Sequence, residues 1–184
     1  MPLGDSRLRS ERLRSPGDLL LDDPEASHAY AWLYRHQPAT TEAYVSAVGV
    51  NPDQARLAVD RLHAHGLVEE EPDGFAVEPI DETVGDVRVT PGVAAVLAMQ
   101  LENYDARQFV QRHGARTLAR AAAYWPLVRE GTVDSRRVGE ELAIGEQDGV
   151  AAMNFVRGVR EHLDEDPRFD EVPTPEISGP VFPS

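Results

Sequence analysis

Val48-Gly49-Val50-Asn51-Pro52-Asp53-Gln54-Ala55-Arg56-Leu57-Ala58-Val59-Asp60-Arg61-Leu62-His63-Ala64-His65-Gly66-Leu67-Val68 reads as the end of one helix, a tight turn, a second helix and the first residues of a strand. Asn51 has a side-chain oxygen suited to capping free backbone N–H groups, and Pro52 follows at the first helical position, where a missing N–H costs nothing. Ala55, Ala58, Val59 and Leu62 recur at helical spacing and predict the inward face of a helix over residues 52–65. Gly66 stands where a helix C-terminus favours glycine. Beyond it the helical period stops, and Leu67 and Val68 begin an extended piece.

Working toward the N-terminus, Thr41 starts a short helix with Thr40 or Thr41 as its cap and Tyr44, Val45 and Val48 as its apolar positions. Before Pro38, the apolar stripe Ala26, Ala29, Tyr30, Leu33 and Tyr34 predicts a helix over residues 24–36. Toward the C-terminus, Pro72-Asp73-Gly74 reads as a turn that returns the chain through Phe75, Ala76 and Val77. The order is three helices and then a small β-hairpin. The second and third helices have the spacing of a helix-turn-helix, which needs a sharp corner and a second helix with one free polar side. That side offers Asp53, Gln54, Arg56, Leu57 and Arg61.

The run from Asn51 to Leu62, followed by Gly66-Leu67-Val68, resembles the recognition helix and first wing strand of MarR- and TrmB-like regulators. The most specific part is the valine, the Asp60-Arg61-Leu62 triplet, three further residues and the Gly-Leu-Val ending. The resemblance covers about residues 25–77. It implies a winged helix-turn-helix in which Gln54 and Arg56 reach base edges while Asn51 and Arg61 reach phosphate; Gln suits adenine and Arg suits guanine. One departure stands out. The family's wing tip is usually basic, whereas here it reads Glu69-Glu70-Glu71-Pro72-Asp73-Gly74. Between residues 25 and 77 only Arg35, Arg56 and Arg61 face eight carboxylates, so the phosphate contacts that normally dominate DNA affinity are few.

The remaining chain divides around this unit. Residues 1–23 read as a flexible arm with Arg7, Arg9, Arg12 and Arg14, with room for a short helix over residues 7–14. After the winged unit at 24–79, residues 80–89 read as a linker, and the stretch from Glu78 to Arg88 also admits a short strand. Residues 90–165 read as a helical region, with helices beginning at Thr90-Pro91 and Asp105, an alanine-rich one over 115–129 bent or ended at Pro126, a short one from Asp134 or Ser135, and a long one over 146–162. Residues 166–184 form a proline-rich tail. The fold class expected is mainly α with a small β-hairpin, a winged helix-turn-helix followed by a helical region of the sort appended to haloarchaeal regulators. An internal echo runs through it. At an offset of 94 residues, Val45, Val48, Gly49, Val50, Ala55, Val59 and Leu62 fall on Gly139, Leu142, Ala143, Ile144, Gly149, Met153 and Val156, which fits either a second helix-turn-helix over residues 134–162 or a plain helical hairpin, since periodicity alone does not separate the two.

Composition narrows the function classes. The formal net charge is −14, from 32 acids against 18 bases, and every base is an arginine. Interspersed carboxylates of this density resemble the surfaces of extreme halophiles, since at ~1 M salt the Debye length is only ~3 Å and an acidic excess costs little. There is no cysteine, so disulfides and thiolate chemistry are excluded. The six histidines, His28, His36, His63, His65, His113 and His162, show no metal-ligand spacing, and no nucleophile–base pair or phosphate loop appears, so neither an enzyme nor a metal or other cofactor is expected. No apolar run or signal-like leader stands out, and a cytoplasmic location is expected. The sequence thus points to a transcriptional regulator that reads duplex DNA with the helix at 52–65. The alternative is a winged-helix interaction or dimerisation module without DNA binding, and Tyr104, Phe109, Tyr124, Trp125 and Phe155 in the helical region are candidates either for a homodimer face or for the core of that region.

Overall fold

A computed structural model describes residues 14–169 and 175–178. Arg7, Arg9 and Arg12, with the short helix expected around them, lie outside the described residues. Within the described residues the chain runs α1 (Pro16–Asp22), α2 (Pro24–His36), α3 (Thr41–Val48), α4 (Pro52–Ala64), a hairpin of β1 (Val68–Glu71) and β2 (Gly74–Val77), and a second hairpin of β3 (Glu82–Val84) and β4 (Val87–Val89). The helices α5 (Pro91–Glu102), α6 (Tyr104–His113), α7 (Ala115–Ala122), α8 (Trp125–Arg129), α9 (Ser135–Glu141), α10 (Glu146–Gly158) and α11 (Arg160–Asp164) follow. The protein is mainly helical, with small antiparallel sheets.

α5 is the axle. Its sequence is apolar on every side, and a helix of that kind must be covered on every side. Residues 91–98 and Gln100 are accordingly buried, enclosed chiefly by α2, with α6, α7 and α11 around the rest. Its N-terminus is capped twice. Thr90 Oγ1 accepts from the Val93 N–H, and the buried carboxylate of Asp166 accepts the Gly92 N–H at 2.8 Å, a negative charge placed where the helix dipole favours it. α2 packs on α5 with one side and on α4 with another, so it is shared by the N-terminal and C-terminal regions.

The N-terminal unit follows its caps. Thr40 accepts from the Ala43 N–H, and the Asn51 carbonyl-type oxygen accepts from the Asp53 and Gln54 N–H groups. β1 and β2 pair in register Val68↔Val77 through Glu71↔Gly74, and Ala39 bridges Phe75 as a further extended position beside them. A Cβ on Gly74 would lie 2.6 Å from the Ala39 backbone, so only glycine permits this approach.

Several expected boundaries move. Residues 16–22 of the expected arm form α1, with Leu19, Leu20 and Leu21 buried, each contributing roughly 2 kcal/mol of apolar burial. Residues 80–89, expected as a linker, carry the β3–β4 hairpin, with Val84, Val87 and Val89 buried. The segment is fastened from outside itself. The Tyr30 hydroxyl donates to the Glu78 carbonyl (2.9 Å) and accepts the Ile80 N–H (2.8 Å), while Glu82 caps α1 by accepting the Gly17 N–H (2.7 Å). The expected helix over 115–129 is split into α7 and α8, with Pro126 in the first turn of α8, and the one over 146–162 breaks at Val159. α6 begins at Tyr104 with Asn103 as its cap. Of the tail, Phe169 is buried in the core. Among the described residues no helix is long and apolar enough to cross a membrane.

Candidate nucleic-acid interface

α4 is held by one face. Ala55, Ala58, Val59 and Leu62 are buried against α2, α3 and β1, as their spacing predicts. The corner before α4 turns at Gly49, in the left-handed region at φ 74°, which a side chain would strain although there is open space for it. The opposite face is bare. Asp53, Gln54, Arg56, Leu57, Asp60 and Arg61 are all exposed, and Leu57, at 59%, is one of only two large apolar side chains so exposed among the described residues.

The five site residues have different local situations. Gln54 makes no side-chain bond among the described residues. Arg56 makes a loose ion pair with Asp53 on the same face, 3.5 Å apart and largely in solvent, of the kind worth ~0–1 kcal/mol. Leu57 stands between them as an apolar patch. Asn51 lies at the entrance to the helix with its oxygen used in the cap, which leaves its amide N–H groups for a partner. Arg61 is tethered: its Nε lies 3.1 Å from the Asp23 carboxylate, whose other oxygen caps α2 through the Ala26 N–H. Asp23 is 38 residues upstream in the chain, and nothing local in the sequence announces the pairing. The β1–β2 hairpin residues Glu69, Glu70, Glu71 and Asp73 are exposed.

The second helix pair, α9 and α10, repeats the turn but not the free face. Ala143, the counterpart of Gly49, adopts φ 57°, the one non-glycine residue with positive φ in the described chain. α9 and α10 cross at Gly139 and Gly149, where a Cβ on Gly149 would come within 2.4 Å of the Gly139 backbone. The positions matching Gln54, Arg56, Leu57 and Arg61 are Asp148, Val150, Ala151 and Phe155. Asp148 is bonded to His113 (2.7 Å) and Arg112 (3.3 Å), Val150 and Ala151 are half-buried, and Phe155 is buried edge-on against Phe109 at 5.9 Å. Helix, not a hairpin, follows α10.

The aromatic set divides between core and surface. Phe109, Tyr124, Trp125 and Phe155 are buried, because α6, α7, α8 and α10 need them to fill their own core, and only Tyr104 is exposed. A hydrogen-bonded network the sequence reading missed joins the two regions. His28 on α2 bonds through Nδ1 to the Tyr44 hydroxyl on α3 (2.5 Å) and through Nε2 to Glu102 at the end of α5 (2.8 Å). Burial raises the Tyr44 pKa, so the phenol stays protonated. Among the described residues no group of three potential metal ligands converges.

No family model matches this chain, nor does any curated protein or solved structure.

Proposed function

We propose that this chain is a DNA-binding transcriptional regulator of the winged helix-turn-helix type, MarR/TrmB-like in its N-terminal unit, with α4 as the recognition helix and without enzymatic activity or a cofactor. The observation that carries the reading is the two-sidedness of α4: Ala55, Ala58, Val59 and Leu62 are committed inward, while Gln54, Arg56 and Leu57 are presented outward. Gln54 and Arg56 supply the adenine and guanine readers, and Leu57 supplies an apolar contact of the kind a thymine methyl accepts. On this reading Asn51 and Arg61, near the two ends of the helix, supply the phosphate contacts. The acidic surface fits a protein working in molar salt, where shape and hydrogen bonding replace counterion release as the main source of affinity.

The test is fluorescence anisotropy with duplex DNA from upstream of the protein's own coding sequence, in molar potassium chloride. Arg56→Ala and Gln54→Ala are each expected to weaken binding by about tenfold, the worth of one bidentate base contact, with circular dichroism unchanged. The salt dependence is expected to be shallow, with a log–log slope no steeper than about −3, because so few arginines reach the backbone.

A second reading rests on the acidic wing and the exposed Leu57. Together they suit a winged-helix interaction module whose partner is a protein, and a homodimer remains part of both readings. A folded chain that binds no duplex under these conditions, and that loses a co-purifying protein on Leu57→Asp, would establish that reading in place of the first.

A further inference from the structure

Residues 175–178 lie against α9, and their burial alternates. Pro175 and Ile177 are half-buried while Glu176 and Ser178 are exposed, the period of an extended chain with one side turned inward. Ile177 packs against the core. Among the described residues, both bonds to Ser178 go to its backbone. Its N–H donates to Glu141 (3.0 Å), and Arg137 donates to its carbonyl oxygen. Arg137 and Glu141 stand one helical turn apart and bond to each other (3.0 Å), so they present a donor and an acceptor side by side. The Glu141 side chain is only 7% exposed under this segment. A pair of this kind grips the N–H and C=O of one residue without reading its side chain.

At the other end of the segment, Pro175 forms part of the wall of a cavity of about 520 Å3 between the β3–β4 hairpin and the end of α7. Val87, Val93, Ala119 and Phe169 line it, and all four are buried. Arg88 and Arg120 at its edge are paired with Asp81 (2.7 Å) and Asp86 (3.2 Å), so the cavity offers apolar surface more than charge. Tyr124 stands between cavity and clip. It lines the cavity, and burial together with the Glu141 carboxylate raises the pKa of its phenol. A proline ring reaches little of this space. The segment seated here therefore satisfies the backbone clip and leaves the cavity beside it largely unfilled.

We propose that this groove binds an extended segment of a partner protein that carries a large apolar residue at the place of Pro175, and that residues 175–178 are a built-in competitor for it. The volume falls within the roughly 300–1,000 Å3 of ordinary ligand sites and admits an aromatic side chain. The backbone bonds give such a ligand its register, and the side chain three residues before the clipped one gives it selectivity. The inference does not depend on whether α4 meets DNA.

The full chain is titrated against a fluorescein-labelled peptide of residues 173–180 carrying Pro175→Phe, with anisotropy as the readout and circular dichroism as the check on folding. Saturable binding is expected. Ser178→Pro in the chain deletes the N–H that Glu141 accepts and should tighten binding by about threefold or more, since an internal competitor lowers apparent affinity by the fraction of sites it leaves open. In that background Glu141→Gln is expected to weaken binding by about tenfold, the loss of a charge-assisted contact. The peptide of unaltered sequence is expected to bind about tenfold more weakly than the Pro175→Phe peptide, the worth of burying an aromatic ring. Ala123→Leu, which narrows the cavity without altering a charge, should remove that difference. No saturable binding to the Ser178→Pro chain, equal affinity for the two peptides, or unchanged affinity in Glu141→Gln would overturn the proposal. A preference for the unaltered peptide would overturn it as well, and would assign the groove to the tail of a second copy.

Discussion

The pairs α3–α4 and α9–α10 turn their corners in the same left-handed conformation, at Gly49 and Ala143, yet they spend their helix faces differently. α4 buries only its apolar side and leaves Gln54, Arg56, Leu57 and Arg61 outside. α10 commits the equivalent positions to the protein, with Asp148 in an ion pair and Phe155 in the core. A shared local turn therefore says little about function. What sets α4 apart is that, among the described residues, its second face is claimed from elsewhere only at Arg61, by Asp23. Neighbouring α6 and α7 claim that face of α10, whereas α4 is held from one side only.

The largest expected effect breaks the second crossing and leaves the first alone. Gly149→Val drives a side chain into the backbone of Gly139, which cannot swing aside, and should lower stability by about 3 kcal/mol in urea denaturation followed by circular dichroism. The counterpart in α4 is already Ala55, so the first crossing tolerates a Cβ as it stands.

Next come the two corners. Gly49→Ala has room for its methyl group but enters the left-handed region, and should cost about 1 kcal/mol; Ala143→Gly relieves the same strain and should gain about 0.5 kcal/mol in the same denaturation experiment. Equal responses of opposite sign would show the two turns to be energetically alike, and a neutral Gly49→Ala would separate them.

The last pair, which ends on the smallest effect, concerns the outer faces. Asp148→Asn removes a partly buried, charge-assisted contact to His113 and should cost about 1 kcal/mol. Gln54→Ala, its counterpart, should change stability by less than about 0.5 kcal/mol, as surface substitutions do. Should Gln54→Ala prove as costly as Asp148→Asn, the view of α4 as a helix with a free side would fail.

Much of the N-terminal unit was legible because its signals are local. Thr40, Asn51-Pro52 and Gly66 mark helix ends within a residue or two of where they fall, and the spacing of Ala55, Ala58, Val59 and Leu62 assigns the buried side of α4 without reference to anything distant. The second hairpin was not legible because β3 and β4 are three residues each, too short for alternation to register, and are fastened by Tyr30 and Glu82 acting across the fold. α1 was hidden in the same way, since the apolar run Leu19-Leu20-Leu21 has no helical period and depends on partners far along the chain. In the candidate site, the exposure of Gln54, Arg56 and Leu57 followed from periodicity. The grip of Asp23 on Arg61 and the bond from His28 to Glu102 join residues that only tertiary packing brings together.

Asp23 gives Arg61 a resident anion. Any phosphate approaching that end of α4 meets a guanidinium that already has a carboxylate companion, so contact there is an exchange of one negative group for another and yields less than a bare arginine would. The released carboxylate keeps its second task at the start of α2 and would remain near the incoming charge as a competitor. If α4 meets DNA as proposed, Arg61 therefore adds less to affinity than an unpaired arginine would.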